Sequence, residues 1–161
     1  MILLIFPNQL FAKHPGLKLN PDRILLLEES LFFGDQRYPM QFHKQKLWLH
    51  RASMKRYESE LQNKGYEVQY VDYDAEKPSL VEQLQKSIKR KDRKATELCC
   101  VDPTDFVLEK RLRKACEILG LRCEILPNSG FLNSAKENQE FRAGKKCVGS
   151  WLTSTSGSVS E

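Results

Sequence analysis

A chain of 161 residues, 40% hydrophobic and 29% charged, fits one globular domain whose core buries roughly two-thirds of the unfolded chain's surface. Its apolar runs, Ile2 to Phe6 and Ile24 to Leu27, fall far short of the roughly 20 residues that cross a bilayer. The amino terminus lacks the basic region and cleavage site of a signal peptide, so no membrane role and a cytoplasmic location are expected. The net charge of +5 admits a nucleic-acid partner without requiring one.

Ile2 to Phe6 reads as a first strand closed by Pro7-Asn8, and Arg23 to Glu28 as a second. Four consecutive aliphatic residues in the latter suit a strand covered on both faces. A long helix is expected from about Phe42 to Lys64, stopped by Gly65, and then a third strand from Glu67 to Asp72. The next helix runs from about Ser79 to Lys91, with Ser79 as N-cap and Glu82 placed to complete a capping box. Glu97 to Asp102 is strand four, Asp105 to Leu119 a helix ended by Gly120, and Arg122 to Leu126 strand five. Helices of this length between strands imply right-handed crossovers and a parallel sheet with helices on both faces. The expected fold class is therefore α/β: a Rossmann-like, five-stranded parallel sheet of order 3-2-1-4-5, filling residues 1–144. Residues 145–161 are expected to form an irregular, disordered or non-native tail, because nine of the last thirteen residues are Gly, Ser or Thr and only Trp151 and Leu152 are large and apolar.

In such sheets ligands bind beyond the carboxyl ends of the strands at the switch in strand order, here between strands one and four. The segments arriving there are Pro7-Asn8-Gln9-Leu10, Glu28-Glu29 and Asp102-Pro103-Thr104-Asp105. No glycine-rich phosphate loop follows strand one. The amides of Asn8 and Gln9 can read the edge of a heterocycle, or simply make the turn that Pro-Asn favours. Glu28 and Glu29 with Phe32 and Phe33 can meet a flat ring bearing N–H donors, or the carboxylates can face water while the rings join the core.

On the long helix His43, Leu47, His50 and Met54 share one stripe, and Lys44, Trp48, Arg51 and Lys55 another. The second stripe can contact phosphates or stack on a ring, or serve as an ordinary solvated face. Two histidines seven apart lie two turns, roughly 10 Å, apart along the axis, too wide for one zinc. Lys86, Lys89, Arg90, Lys91, Arg93 and Lys94 form the densest basic run, expected to complete a helix end rather than to bind DNA. The five cysteines, Cys99, Cys100, Cys116, Cys123 and Cys147, are odd in number and lack zinc spacing, so buried reduced thiols are expected and no metal site.

The combination of PNQLF after strand one, EESLFFGDQRYPMQFHKQKLWLHRASM and EVQYVDYD resembles the deoxyribodipyrimidine photolyase-related family, the prokaryotic photolyase/cryptochrome branch with an iron–sulfur cluster. The FHKQK-L-LHRASM block is its most specific part, and the likeness covers roughly Ile2 to Arg142. That resemblance implies the family's amino-terminal domain, which carries an antenna chromophore of the ribityl-lumazine kind. It implies FAD and the cluster in a helical carboxyl-terminal region not contained in these 161 residues, so the catalytic lyase chemistry and damaged DNA would involve this chain only through the full-length flavoprotein. The resemblance places Asn8, Gln9 and Leu10 at a turn near the antenna, with Pro7 where the family has glycine. It matches Glu28 and Glu29 to the acidic end of strand two, Phe32, Phe33 and Tyr38 to the chromophore-facing loop, and His43, Lys44 and Lys46 to the HKQK block. After Phe141-Arg142 the sequence departs from the family pattern, as a truncated or frameshifted reading frame would. The alternative is a generic nucleotide-binding or protein-interaction module of Rossmann-like fold, and a third reading is direct nucleic-acid binding by the basic helix.

Overall fold

Short aliphatic runs become strands because their alternate residues find an apolar layer on each side of the sheet. The computed structural model describes residues 1–76, 79–88, 97–131 and 135–144. It contains β1 (Ile2–Ile5), β2 (Arg23–Leu27), β3 (Val68–Val71), β4 (Glu97–Val101) and β5 (Arg122–Leu126). They form one sheet of order β3-β2-β1-β4-β5, every pairing parallel, as the sequence predicts. Central β1 sets the register, Ile2 standing opposite Arg23 on one side and Leu98 on the other.

Strand residues alternate between two core layers. Leu4, Leu25, Leu27, Leu98 and Cys100 pack with α3 (Leu80–Ser87) and α4 (Phe106–Leu119). Leu3, Ile5, Ile24, Leu26 and Cys99 pack instead with Met54, Tyr57 and Leu61 of α2 (Lys44–Asn63). Each fully buried aliphatic side chain contributes about 1.5–3 kcal/mol relative to exposure. The α2 contacts recur at helical spacing only in its second half; further back Trp48 is 73% and Leu49 60% exposed.

Helix ends follow local chemistry. His43 Nδ1 accepts from Gln45 N–H at 3.3 Å and starts α2, and Asp105 Oδ1 accepts from Leu108 N–H at 2.9 Å and starts α4. Gly120, at φ 65°, ends α4 in the left-handed conformation. The capping box expected at Ser79 does not form: Ser79 is the N-cap, but its hydroxyl makes no capping bond and Glu82 is exposed. Ser79 instead belongs to the wall of an open cavity described below. The helix expected to run to Lys91 ends at Ser87, with Ile88 a non-helical C-cap, while the basic residues Lys89, Arg90, Lys91, Arg93 and Lys94 and the tail 145–161 with Cys147, Trp151 and Leu152 lie outside the described residues.

Three of the described elements escape the sequence pattern, one of them the helix Ala135–Gly144 described below. A one-turn helix, α1 (Ser30–Phe33), follows β2, and a 3-10 turn spans Pro15–Leu19. Gly16 lies so close to Leu3 that a Cβ there would collide with the leucine side chain. His14 caps this turn, its Nδ1 accepting from Gly16 N–H at 3.2 Å, and is 2% exposed. Burial pulls its pKa from 6.5 down to about 4. A depressed histidine leaves the unfolded chain with more bound protons, so this stability is fully present above pH 6.5 and lost as pH falls toward 4, about 3 kcal/mol across the window. His14→Asn keeps a capping acceptor without a titrating ring, so chemical denaturation of that variant should show a flatter profile from pH 6.5 to 4. An unchanged slope would remove His14 from the account.

The chain divides into two units, Met1–Asn128 and Ser129–Glu161. The second contains α5 (Ala135–Gly144), a polar helix on which Phe141 is 63% exposed. No helix among the described residues is long and apolar enough to cross a membrane.

Candidate functional site

The carboxyl ends of β1, β2 and β4 converge on one rim, as the strand order requires. At the switch between β1 and β4, Gln9 is fully buried and spends its amide on the protein itself. Its Nε2 donates to Val101 O at 2.7 Å, and its Oε1 accepts from Phe6 N–H at 3.3 Å and from the Cys100 thiol at 3.7 Å. Exposed Asn8 donates through Nδ2 to Pro103 O at 3.1 Å, while Leu10 packs against the α2 layer. These residues stitch the loops after β1 and β4 together across the switch.

The acidic end of β2 is buried rather than solvated. Glu28, 0% exposed, receives a forked pair of bonds from Arg51 on α2, Nε to Oε1 at 2.7 Å and a terminal nitrogen to Oε2 at 2.6 Å. Tyr70 O–H at 2.6 Å and Tyr73 N–H at 2.9 Å complete its shell. Burial by itself raises the pKa of this carboxyl, but the bonds from Arg51, Tyr70 and Tyr73 and the Arg51 charge outweigh it and hold the group below the usual range. Arg51 is thereby committed to Glu28, and Lys55 lies 3.3 Å from the Tyr70 ring centroid and pairs with Glu58 at 3.2 Å.

Glu29, also 0% exposed, caps α1 through Leu31 N–H at 2.6 Å and meets Arg111 of α4 at 2.9 Å. Arg111 also pairs with Asp35 at 2.6 Å, and the Ser30 hydroxyl joins both carboxylates, at 2.7 Å to Asp35 and 3.2 Å to Glu29. Asp35 further accepts from the backbone N–H groups of Arg37 at 2.9 Å and Tyr38 at 2.7 Å. The two carboxyls consequently diverge. Burial dominates at Glu29 and raises its pKa despite Arg111; at Asp35 the bonds from Arg111, Ser30 and Tyr38 overcome burial and lower it.

The aromatic residues form a wall beside Glu28. Phe33 stacks on Tyr73 with centroids 6.2 Å apart, the Arg51 guanidinium lies 5.6 Å from its centroid, and Phe32 meets His50 edge-on at 6.0 Å. Tyr38, 43% exposed, is flanked by Arg37 at 5.8 Å and Arg111 at 5.7 Å. His43, Lys44 and Lys46 are exposed on the first turn of α2, with Lys46 over the Phe42 ring at 4.5 Å.

An open cavity of ≈ 360 Å³ lies beside this rim, bounded by Ser30, Asp35, Gln36 and Arg37 after β2, by Ser79, Leu80 and Val81 at the start of α3, and by Arg111 and Lys114 of α4. Its size falls in the range of roughly 300–1,000 Å³ typical of small-molecule sites. None of the eleven residues singled out from sequence lines it; Glu29 and Tyr38 act on it through Arg111. Asp35 and Arg111 are the residues that sequence reading missed. Arg111 carries a sequence signal, since it falls three after Leu108 and four before Ala115 on the buried stripe of α4, where a cation implies a buried counter-charge. No cluster of three or more His, Cys, Asp or Glu side chains suited to a metal ion occurs among the described residues.

Comparison with known proteins adds two findings. A family model described as deoxyribodipyrimidine photo-lyase-related protein matches residues 3–149. An uncharacterized protein of Acanthamoeba polyphaga mimivirus is 32% identical over 148 residues, a match covering 90% of this chain and 72% of the viral protein.

Proposed function

This chain belongs to the deoxyribodipyrimidine photo-lyase-related family, and on that premise we propose that it is the antenna, chromophore-binding domain of a photolyase/cryptochrome-like flavoprotein serving light-driven repair of ultraviolet-damaged DNA. The cavity at the carboxyl end of β2 is the observation that carries the reading. Its walls combine apolar surface from Leu80 and Val81 with the hydrogen-bonding side chains of Gln36 and Ser79, beside the Asp35–Arg111 ion pair. That donor set fits a flat heterocycle with a hydroxylated side chain, as in a ribityl-lumazine or a flavin. Bound there, the chromophore would supply violet-light absorption. This chain's residues would orient it and keep its ring edge away from bulk water. Glu29 and Tyr38 bear on the cavity through Arg111, Glu28, Phe32 and Phe33 brace the end of β2 beside it, and Asn8, Gln9 and Leu10 hold the adjacent switch-point loops. His43, Lys44 and Lys46 are exposed on α2, and in this proposal they are assigned to contact with the remainder of a photolyase-like chain or with the chromophore. FAD and iron–sulfur chemistry belong in this proposal to that remainder, as does contact with damaged DNA.

Titration of the purified chain with 6,7-dimethyl-8-ribityllumazine, followed by fluorescence anisotropy, should give saturable one-to-one binding. Gln36→Leu together with Ser79→Ala should weaken it about ten-fold by removing two uncharged hydrogen-bonding groups. A free-ligand anisotropy at every protein concentration, for this lumazine and for riboflavin, would refute the antenna reading. Binding of adenosine in their place would favour the generic nucleotide-binding module.

A further inference from the structure

The cavity holds more positive charge than a neutral chromophore needs. Three cations, Arg37, Arg111 and Lys114, line it with one carboxylate, Asp35. The Asp35 and Glu29 carboxylates are both spent on Arg111 and on local hydroxyl and backbone donors. Arg37, by contrast, contacts only the Tyr38 ring through its guanidinium, and Lys114 has no ion-pair partner among the described residues. The same wall includes the start of α3, where the Ser79 hydroxyl makes no capping bond and, among the described residues, has no other partner, and where Leu80 and Val81 hold first-turn N–H groups that no helical carbonyl reaches. Glu82, the acidic residue of that first turn, is exposed and does not line the cavity.

We propose that this cavity seats a phosphomonoester, held by Arg37 and Lys114 with the Ser79 hydroxyl, so that its ligand is a phosphorylated small molecule. The inference rests on the cavity being a ligand site, and it deepens the antenna reading by giving the chromophore a phosphorylated side chain. Arg37 is suited to fork two phosphate oxygens, and Lys114 acts as a point charge. Free N–H groups at a helix start favour the same dianion over a neutral hydroxyl chain. A concave site between α1, α3 and α4 favours a small molecule over a nucleic-acid backbone, which needs an open stripe of cations.

The test uses inorganic phosphate and a matched flavin pair. In amide NMR at constant ionic strength, phosphate should produce saturable shifts at Ser79, Leu80 and Val81, and these should disappear in the folded Arg37→Gln, Lys114→Gln double variant. FMN should bind about ten-fold tighter than riboflavin, an advantage the same double variant abolishes. Shifts that never saturate, or that persist in the variant, would overturn the proposal, as would equal affinity for FMN and riboflavin. If neither flavin nor lumazine binds, the antenna reading fails while the phosphate titration still decides this one. Displacement of phosphate by a single-stranded oligonucleotide but not by FMN would overturn the small-molecule assignment.

Discussion

Arg111→Met should lower the unfolding free energy by about 3 kcal/mol, because it removes the cation from two carboxylates that the fold cannot expose. Glu29 and Asp35 have side chains 0% and 5% exposed, and Arg111 itself is only 23% exposed, so solvent screens little of the loss. The variant's deficit should also depend on pH. Glu29 already has a raised pKa, so its unfavourable contribution is present at neutral pH and fades as pH falls through its folded pKa. Asp35 has a lowered pKa, and the stability it supplies above its unfolded pKa is lost on acidification. Without Arg111 burial weighs more heavily on the Glu29 carboxylate, so the variant gains more than the native protein when Glu29 takes up its proton, and the gap narrows as pH drops from 8 to 5; the Asp35 contribution is lost only below its unfolded pKa, outside that range. Urea unfolding at the two pH values measures this, and a gap below about 1 kcal/mol at pH 8 would mean that water replaces Arg111, as at exposed pairs.

Glu28→Ala should cost about 2–3 kcal/mol, by a different route. Every partner of this carboxylate is a donor: Arg51, the Tyr70 hydroxyl and the Tyr73 N–H. Arg51 is 52% exposed and can return to water, so the forked pair contributes less than its geometry suggests. The part-buried donors of Tyr70 and Tyr73 are the larger liability. Glu28→Gln should recover only part of the loss, since an amide must turn its own NH₂ toward one of these donors. Equal stability of the Gln variant and the native protein in urea would show that the charge at Glu28 is irrelevant.

Much of this frame could be read directly from the residues. Buried parallel strands announce themselves as aliphatic runs, and Gly65 and Gly120 mark the ends of α2 and α4. The turns of chain near the site were less legible. α1 has only four residues, too few to display a helical period, and the Pro15–Leu19 turn depends on Gly16 fitting against Leu3, a contact no local pattern reveals. At the site, the pair Glu28-Glu29 was visible, but their different electrostatic fates were not. Those fates depend on Arg51 and Arg111, 23 and 82 residues away along the chain. Gln9 drew attention for its amide, which the structure uses to join Phe6, Cys100 and Val101 across the switch.

The antenna proposal is tested most directly by mapping the lumazine onto the backbone. In amide NMR, 6,7-dimethyl-8-ribityllumazine should shift Ser30, Gln36, Ser79, Leu80 and Val81, five of the residues that line the cavity at the end of β2. Saturable binding with those shifts is the predicted result; the absence of any shift there at saturating ligand would contradict it.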